Sequence, residues 1–196
     1  MNNLSDKYEV KEIVSDWTVR KQKSAQDMLE KISNYYPKRV TLDDVYIFTV
    51  KLCDNDIDTE RDCFSDESLK DIERLAIGKT GQIYDYKARI FDTRIIVDDD
   101  EKTKYGEPRK ELYAHCWIER TPQNAEIIQA IADSVTNIAT ISCSVKHIYC
   151  SVCGNNKLRN HCKCDYGYDI LDGVNDVYSW FFEPLVIKEC VFKCQK

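Results

Sequence analysis

The sequence has no long hydrophobic run and no excess of positive charge. In 196 residues there is no stretch of about 18 consecutive apolar side chains, so we expect no membrane-spanning helix and no membrane partner. The first residues, Met1 to Lys7, lack the basic-then-apolar pattern of a secretory signal peptide, so we expect a cytosolic protein with reduced cysteines. The net charge of -6 makes nucleic acid a poor candidate partner. Internal repeats and low-complexity segments are also missing.

The pattern of apolar residues predicts an α+β fold built on a small, mostly antiparallel β-sheet or β-barrel. A polar, helix-permissive segment ending near Pro37 predicts a helical N-terminal arm, residues 1–38, in front of a domain that comprises residues 39–196. The acidic stretch 98–108 is expected to be a surface loop. Runs of β-branched and aromatic residues predict strands over 45–50, 81–97, 111–119, 138–145 and 178–192.

Two helices are predicted between these strands. Ser65 is a candidate N-cap of the first helix, and Gly78 is a natural end for it. The second helix is expected to start at Thr121-Pro122, with threonine as the cap and proline in the first turn. Its buried face is predicted from i, i+3, i+4, i+7 spacing to consist of Ile128, Ile131, Ala132 and Val135.

Four of the ten cysteines have the spacing of a metal site. Cys150 and Cys153 are separated by two residues and followed by Gly154, and Cys162 and Cys164 follow with a one-residue gap. In a reduced compartment, such pairs are typical of a tetrahedral zinc site. Because four thiolates leave no position for water, we predict a structural zinc module over residues 149–168. His161 is an alternative to one of the cysteines as ligand, and Lys157, Arg159 and Lys163 offset the thiolate charge.

The remaining cysteines are not expected to carry chemistry. Cys53, Cys116 and Cys143 lie in strand patterns, where cysteine is a small apolar core residue. Cys190 and Cys194 are four residues apart and form a conceivable second metal pair, but the sequence offers no partner pair for them.

Several segments in this order resemble one known family. They are the acidic turn after Cys53, Phe64–Leu69, Gly78–Gly81 with Ile83–Asp85, Ile141–Val145, the Cys150 knuckle and the Asp176-x-Tyr178-x-Trp180 segment. Together they resemble the cysteine-knuckle branch of the tailed-phage prohead (head maturation) proteases of low-GC Gram-positive hosts. The resemblance spans about residues 42 to 184, and the knuckle and the Asp-x-Tyr-x-Trp segment are its most specific parts.

The resemblance implies a fold, an activity and partners. The fold would be that of herpesvirus assemblins, a small antiparallel barrel wrapped by helices with the zinc knuckle inserted. The activity would be cleavage of scaffold and capsid precursors by a serine nucleophile and a histidine base. The expected partner is a phage capsid or scaffold protein, with self-association as a further option. The location would be the host cytoplasm, with retention in the virion left open.

The residues at the family's catalytic positions depart from this pattern. Tyr86 stands where the base is expected, and tyrosine is largely protonated at neutral pH. Thr140 stands where the nucleophile is expected, and a shift of register by two would place Ser142 there instead. His115 and His147 are the remaining histidine candidates for the base. A histidine in an alternating strand, such as His115, is more often structural, and His147, between the nucleophile strand and the zinc module, is expected to help pack that module.

These substitutions favour a catalytically degenerate head-assembly protein. Two alternatives stay open. One is an active prohead protease read in the wrong register. The other is a zinc-containing adaptor unrelated to phage heads that binds a protein through its acidic loops.

Overall fold

The chain folds around a mixed β-sheet with a few helices. The computed structural model describes residues 25–35, 39–58, 60–133, 136–160, 162–166 and 177–195. Within these ranges the α-helices are α1 (Ala25–Ser33), α2 (Asp66–Ala76) and α3 (Ala125–Asp133), and short 3-10 helices cover Pro122–Asn124 and Lys163–Tyr166. The strands are β1 (Val45–Asp54), β2 (Asp62–Phe64), β3 (Thr80–Ile83), β4 (Tyr86–Lys102), β5 (Pro108–Glu119), β6 (Thr136–Cys150) and β7 (Ser179–Gln195).

All seven strands belong to one sheet, whose path is β1-β5-β4-β3-β7-β2, with β6 paired to β7. The β1–β5, β4–β5, β3–β4 and β6–β7 pairings are antiparallel, whereas β2 and β3 each run parallel to β7. The predicted α+β class and mostly antiparallel sheet are therefore confirmed. No pairing in the described residues joins β1 to β6, so the sheet is open rather than closed into the expected barrel.

The main hydrophobic core lies on one face of this sheet. On β1 the alternate residues Phe48, Val50 and Leu52 point into it, whereas Thr49 and Lys51 lie on the opposite face, because successive side chains of a strand alternate. Helices α2 and α3 contribute to the same core. A second, smaller apolar cluster joins α1 to the sheet and comprises Ile32, Val40, Val45, Phe91 and Trp117.

Helix α2 begins where its cap predicts. The Ser65 side chain accepts a hydrogen bond of 3.1 Å from the backbone N–H of Ser68, which satisfies one of the free donors of the first turn. The Ser68 hydroxyl in turn donates to the carbonyl oxygen of Phe181 on β7, at 2.6 Å. After the helix, Gly78 has a φ of +81°, a left-handed conformation that suits glycine. Ser65 therefore starts α2, and Ser68 attaches the first turn of the helix to the sheet.

The buried face of α3 differs from the prediction. Ile127 and Ile131 point into the core and Ile128 is partly buried, while Ala132 is exposed. The side chain of Val135 falls outside the description. The 3-10 turn that precedes α3 delays the helix until Ala125, and the i, i+4 pair 127/131 then faces the sheet.

Two strand boundaries also differ from those that the sequence predicted. The predicted strand 81–97 is a hairpin, because the chain turns at Tyr84, which has a φ of +51°. Strand β4 continues to Lys102, through the first five residues of the stretch expected to be a loop, since it pairs with β5 as far as Lys102 opposite Pro108. Arg109 contributes to this extension by forming ion pairs with Glu101 and Asp54.

The predicted N-terminal arm is described only in part. Helix α1 covers its end, where Ile32 is fully buried and Lys31 forms an ion pair with Asp92 on β4. Residues 1–24 and 36–38 of the arm lie outside the described residues. In the part of the chain that is described, no helix has the length and apolar character needed to cross a membrane.

A partly buried ionic cluster lies on the face of the sheet opposite the main core. The Lys51 ammonium group is 2.9 Å from Asp54 and 2.7 Å from Glu111, and the Tyr113 hydroxyl donates to Glu111 at 2.6 Å. Burial raises the pKa of both carboxyls, but the pairing with Lys51, supported by Arg109, outweighs it and holds each pKa below its ordinary value.

This cluster predicts an acid-sensitive stability. Because the unfolded chain takes up protons at higher pH than the folded chain, the contribution of Asp54 and Glu111 is complete above their ordinary pKa values of 3.8 and 4.5. It is lost as the pH falls through their lower folded values. Urea unfolding between pH 7 and pH 3 is expected to show this decline, and Glu111→Gln should flatten it. An equally steep decline in the variant would contradict this assignment.

Candidate metal centre

Four cysteine sulfurs converge at the end of β6. Cys150 is the last residue of that strand, Cys153 lies in the turn that follows, and Cys162 and Cys164 lie at the start of the 3-10 helix. Their Sγ atoms all lie within 4.8 Å of one another. Zn–S bonds of about 2.3 Å in a tetrahedron would place the sulfurs about 3.8 Å apart. These residues, called the cysteine cluster below, therefore form a possible metal-binding site.

The turn that carries Cys150 and Cys153 depends on the glycine that follows Cys153. Gly154 has a φ of +68°, and its N–H donates to the Cys150 carbonyl oxygen at 3.0 Å. The Cys150 N–H donates to the carbonyl oxygen of Asn155, also at 3.0 Å. This pair of hydrogen bonds folds the chain back tightly enough to bring both sulfurs to one point.

Asn156 organises the return of the chain toward the second pair of cysteines. Its side-chain amide lies 2.8 Å from Nδ1 of His147, and its Oδ1 accepts a hydrogen bond from the Leu158 N–H at 3.0 Å. Its carbonyl oxygen accepts from the Asn160 N–H at 2.9 Å. Asn156 was not among the residues predicted for this site, although an asparagine that bonds backbone groups nearby is a common signal of a turn.

The segment that carries the cysteine cluster is attached to the start of β7. Ser151 and Tyr178 form two hydrogen bonds of 3.0 Å, one between backbone groups and one from the Tyr178 N–H to the Ser151 hydroxyl. The Lys157 ammonium group donates to the Ser179 hydroxyl at 2.8 Å. Arg159 and Lys163 are exposed. One of the three basic residues therefore fixes the segment, and the other two lie at its surface.

The thiols of the cluster differ in acidity. Burial raises the pKa of Cys150, but hydrogen bonds from the N–H groups of Cys153 and Val152 outweigh it, and the pKa falls to about 7. The hydrogen bond with Cys153, followed by burial, raises the pKa of Cys164 to about 12. Burial likewise raises the pKa of Cys162. Crowded thiols resist joint ionisation, and a divalent cation is the group that would stabilise four thiolates at this point.

The cysteines outside the cluster lie in the core wherever their side chains are described. Cys53, Cys116 and Cys143 are buried in the main core, as small apolar residues. Cys190 is also buried, and the side chain of Cys194 falls outside the description. His161, the alternative ligand, lies outside the described residues as well, so the structure describes only the four-cysteine arrangement.

The two positions singled out by the family resemblance lie on opposite faces of the sheet. Tyr86, the first residue of β4, packs against the main core together with Ala88. Thr140 lies on β6 between the core residues Ala139 and Ile141, so its side chain points to the other face. Three strand-to-strand steps also separate β4 from β6 in the sheet. The structure therefore does not place these two side chains side by side.

The other two candidates lie on strands that are not neighbours. Ser142 is buried on β6, opposite Glu189 of β7. His115 is buried on β5, where its Nδ1 is 2.9 Å from the hydroxyl oxygen of Thr49, and it lies opposite Asp92 in the β4–β5 pairing.

An aromatic cluster adjoins the metal centre and was not predicted. Its rings lie 5.0–6.4 Å apart in a continuous chain on the face of β6 and β7 opposite the core, and all are partly exposed. The sequence signal for it is the alternation of aromatic residues around Trp180, which places successive rings on one face of a strand. The cluster comprises Tyr105, His147, Tyr149, Tyr178, Trp180 and Phe182.

Comparisons with known proteins give no relative. The chain matches no protein-family model, and no curated protein or solved structure is significantly similar to it.

Proposed function

We propose that the cysteine cluster binds one structural zinc ion and that the protein acts by binding a partner rather than by catalysis at this centre. The observation that carries the proposal is the convergence of four Sγ atoms within 4.8 Å. An all-sulfur set of this kind suits zinc, and four protein ligands leave no position for a reacting water.

The ion would link two stretches of this segment, the turn that carries Cys150 and Cys153 and the stretch that carries Cys162 and Cys164. The turn that carries Cys150 and Cys153 and the 3-10 helix that carries Cys164 come from opposite ends of this segment. Gly154 and Asn156 bring them together, and Ser151 fixes the assembled segment to β7. The role of the chain's own residues is therefore to orient sulfurs and to anchor the segment on the sheet.

Metal content tests this proposal. Protein purified without chelator is expected to contain one zinc ion per chain by elemental analysis, and Cys150→Ser is expected to lose most of it because a missing thiolate weakens the whole site. Cys190→Ser, which changes a buried cysteine outside the cluster, is the matched control and should retain the metal. Absence of stoichiometric metal from the unmodified protein would refute the proposal.

A head-assembly role is a second proposal, and it rests on the sequence resemblance to prohead proteases. The separation of Tyr86 and Thr140 on opposite faces of the sheet supports the inactive version of this role over an active protease. In this proposal the protein binds capsid or scaffold protein in the host cytoplasm. The adaptor unrelated to phage heads remains the competing alternative.

This second proposal predicts no proteolysis of a capsid precursor. Loss of a general base typically costs a factor of about 100 to 10,000 in rate, so a chain with tyrosine at the base position should show no specific cleavage. Co-expression with a phage capsid precursor that carries its scaffold segment, followed by mass spectrometry, measures this. Specific cleavage that Thr140→Ala or Ser142→Ala abolishes would overturn the inactive assignment. Cleavage only in the double variant Tyr86→His with Thr140→Ser would support the resemblance and the loss of activity.

A further inference from the structure

The four residues of the cysteine cluster are unequally exposed to solvent. Cys150 and Cys162 are buried, Cys164 is intermediate and Cys153 is exposed. The Sγ atoms of Cys153 and Cys162 lie 3.5 Å apart. A small solute that approaches the cluster from solvent therefore meets Cys153 first, and the Cys162 sulfur is within reach of the Cys153 sulfur.

We propose that Cys153 is an oxidation site through which a hydroperoxide releases the metal. This inference rests on the proposed zinc site and adds to it a route for opening that site. Every cysteine outside the cluster whose side chain the structure describes is buried, so the oxidant has no competing exposed thiol among those residues. Those residues are Cys53, Cys63, Cys116, Cys143 and Cys190.

The chemistry is a two-electron oxidation of two thiolates. The Cys153 thiolate attacks one oxygen of the hydroperoxide, the O–O bond breaks, and a sulfenic acid forms while hydroxide or alkoxide leaves. The Cys162 thiolate then attacks the sulfenic sulfur, a disulfide forms and a second hydroxide leaves. Two protons from the buffered solvent neutralise the leaving groups. The ion, which retains only two of its sulfur ligands, dissociates as the aqueous dication.

Release of the metal would alter the packing of the aromatic cluster. Ser151, next to Cys150, is hydrogen-bonded to Tyr178, and the Tyr178 ring lies 5.3 Å from that of Trp180. Loosening of the cysteine turn therefore changes the surroundings of Trp180. Its fluorescence provides a signal that is independent of any activity of the protein.

Disulfide mapping after oxidation tests the inference. Zinc-loaded full-length protein is treated with hydrogen peroxide, released zinc is followed with a chelating dye, and disulfides are assigned by peptide mass spectrometry. We expect one zinc ion released for each Cys153–Cys162 disulfide, together with a change in tryptophan fluorescence. Cys153→Ser should form disulfide at least about tenfold more slowly, because the exposed thiolate is missing. Cys164→Ser, which also weakens the metal site but keeps the reacting pair, should form the same disulfide.

The outcomes separate this inference from the zinc proposal. If the purified protein holds no zinc, the zinc proposal fails, and oxidation of the metal-free protein still decides whether Cys153 and Cys162 pair. If zinc is present but another cysteine pair forms the main disulfide, or Cys153 is oxidised without forming one, the inference is wrong and the zinc site stands. Retention of zinc after the disulfide has formed would contradict the release step.

Discussion

Replacing Cys153 with serine is expected to destabilise the zinc-loaded protein by about 4 kcal/mol or more. A structural zinc site contributes on the order of 10 kcal/mol of apparent folding free energy, and a site with three sulfurs retains only part of it. The side chain itself is exposed, so the loss of its packing contributes little. Urea unfolding in the presence of a slight excess of zinc measures the difference.

Two controls isolate the metal contribution. Val152→Ser changes an exposed side chain in the same turn and should cost less than about 0.5 kcal/mol. After removal of zinc with a chelator, the wild type and the Cys153→Ser variant should have nearly equal stability, since their difference comes from the ion. A large difference that persists in metal-free protein would mean that the thiol stabilises the fold by another route.

Replacing Gly81 with alanine is expected to destabilise the protein by about 3 kcal/mol, because the core has no room for the added methyl group. A Cβ atom at Gly81 would lie 2.0 Å from Cε2 of Phe192, a ring that is fully buried. The neighbouring β3 residues Gln82 and Ile83 pair with β7, so the clash would fall beside the junction of these two strands. Thermal and urea unfolding of the variant measure the loss.

The matched control for this substitution is Gly106→Ala. A Cβ at Gly106 meets nothing within 4 Å, so only its φ of +93° opposes alanine, at a cost of about 1 kcal/mol. Combining Gly81→Ala with Phe192→Leu should cost less than the sum of the two single changes, because the smaller side chain makes room for the methyl group. Equal effects of Gly81→Ala and Gly106→Ala would contradict the close approach of β3 and β7.

Local signals in the sequence predicted much of the fold. The β-branched run after Val45 forms a strand, and Ser65 caps α2 as expected. The paired spacing of the cysteines predicted their convergence, because two ligands with two residues between them on a glycine-containing turn can share one ion. In each case the residues that determine the feature are close together in sequence.

The features that were not predicted depend on distant or weakly marked residues. The parallel pairings of β2 and β3 with β7 join segments about a hundred residues apart, and no local pattern specifies them. The turn at Tyr84 has no glycine or asparagine at its positive-φ position to mark it. The opposite orientations of Tyr86 and Thr140 also depend on the pairing of strands across the sheet, which the sequence resemblance alone did not show.

X-ray absorption at the zinc edge of the purified protein tests the central claim most directly. The proposed centre predicts about one zinc ion per chain with four sulfur neighbours at about 2.3 Å and no nitrogen or oxygen in the inner shell. A shell of three sulfurs with one nitrogen near 2.0–2.1 Å would contradict the four-cysteine assignment and favour a histidine ligand. A spectrum dominated by oxygen and nitrogen neighbours, or a preparation without zinc, would contradict the metal centre itself.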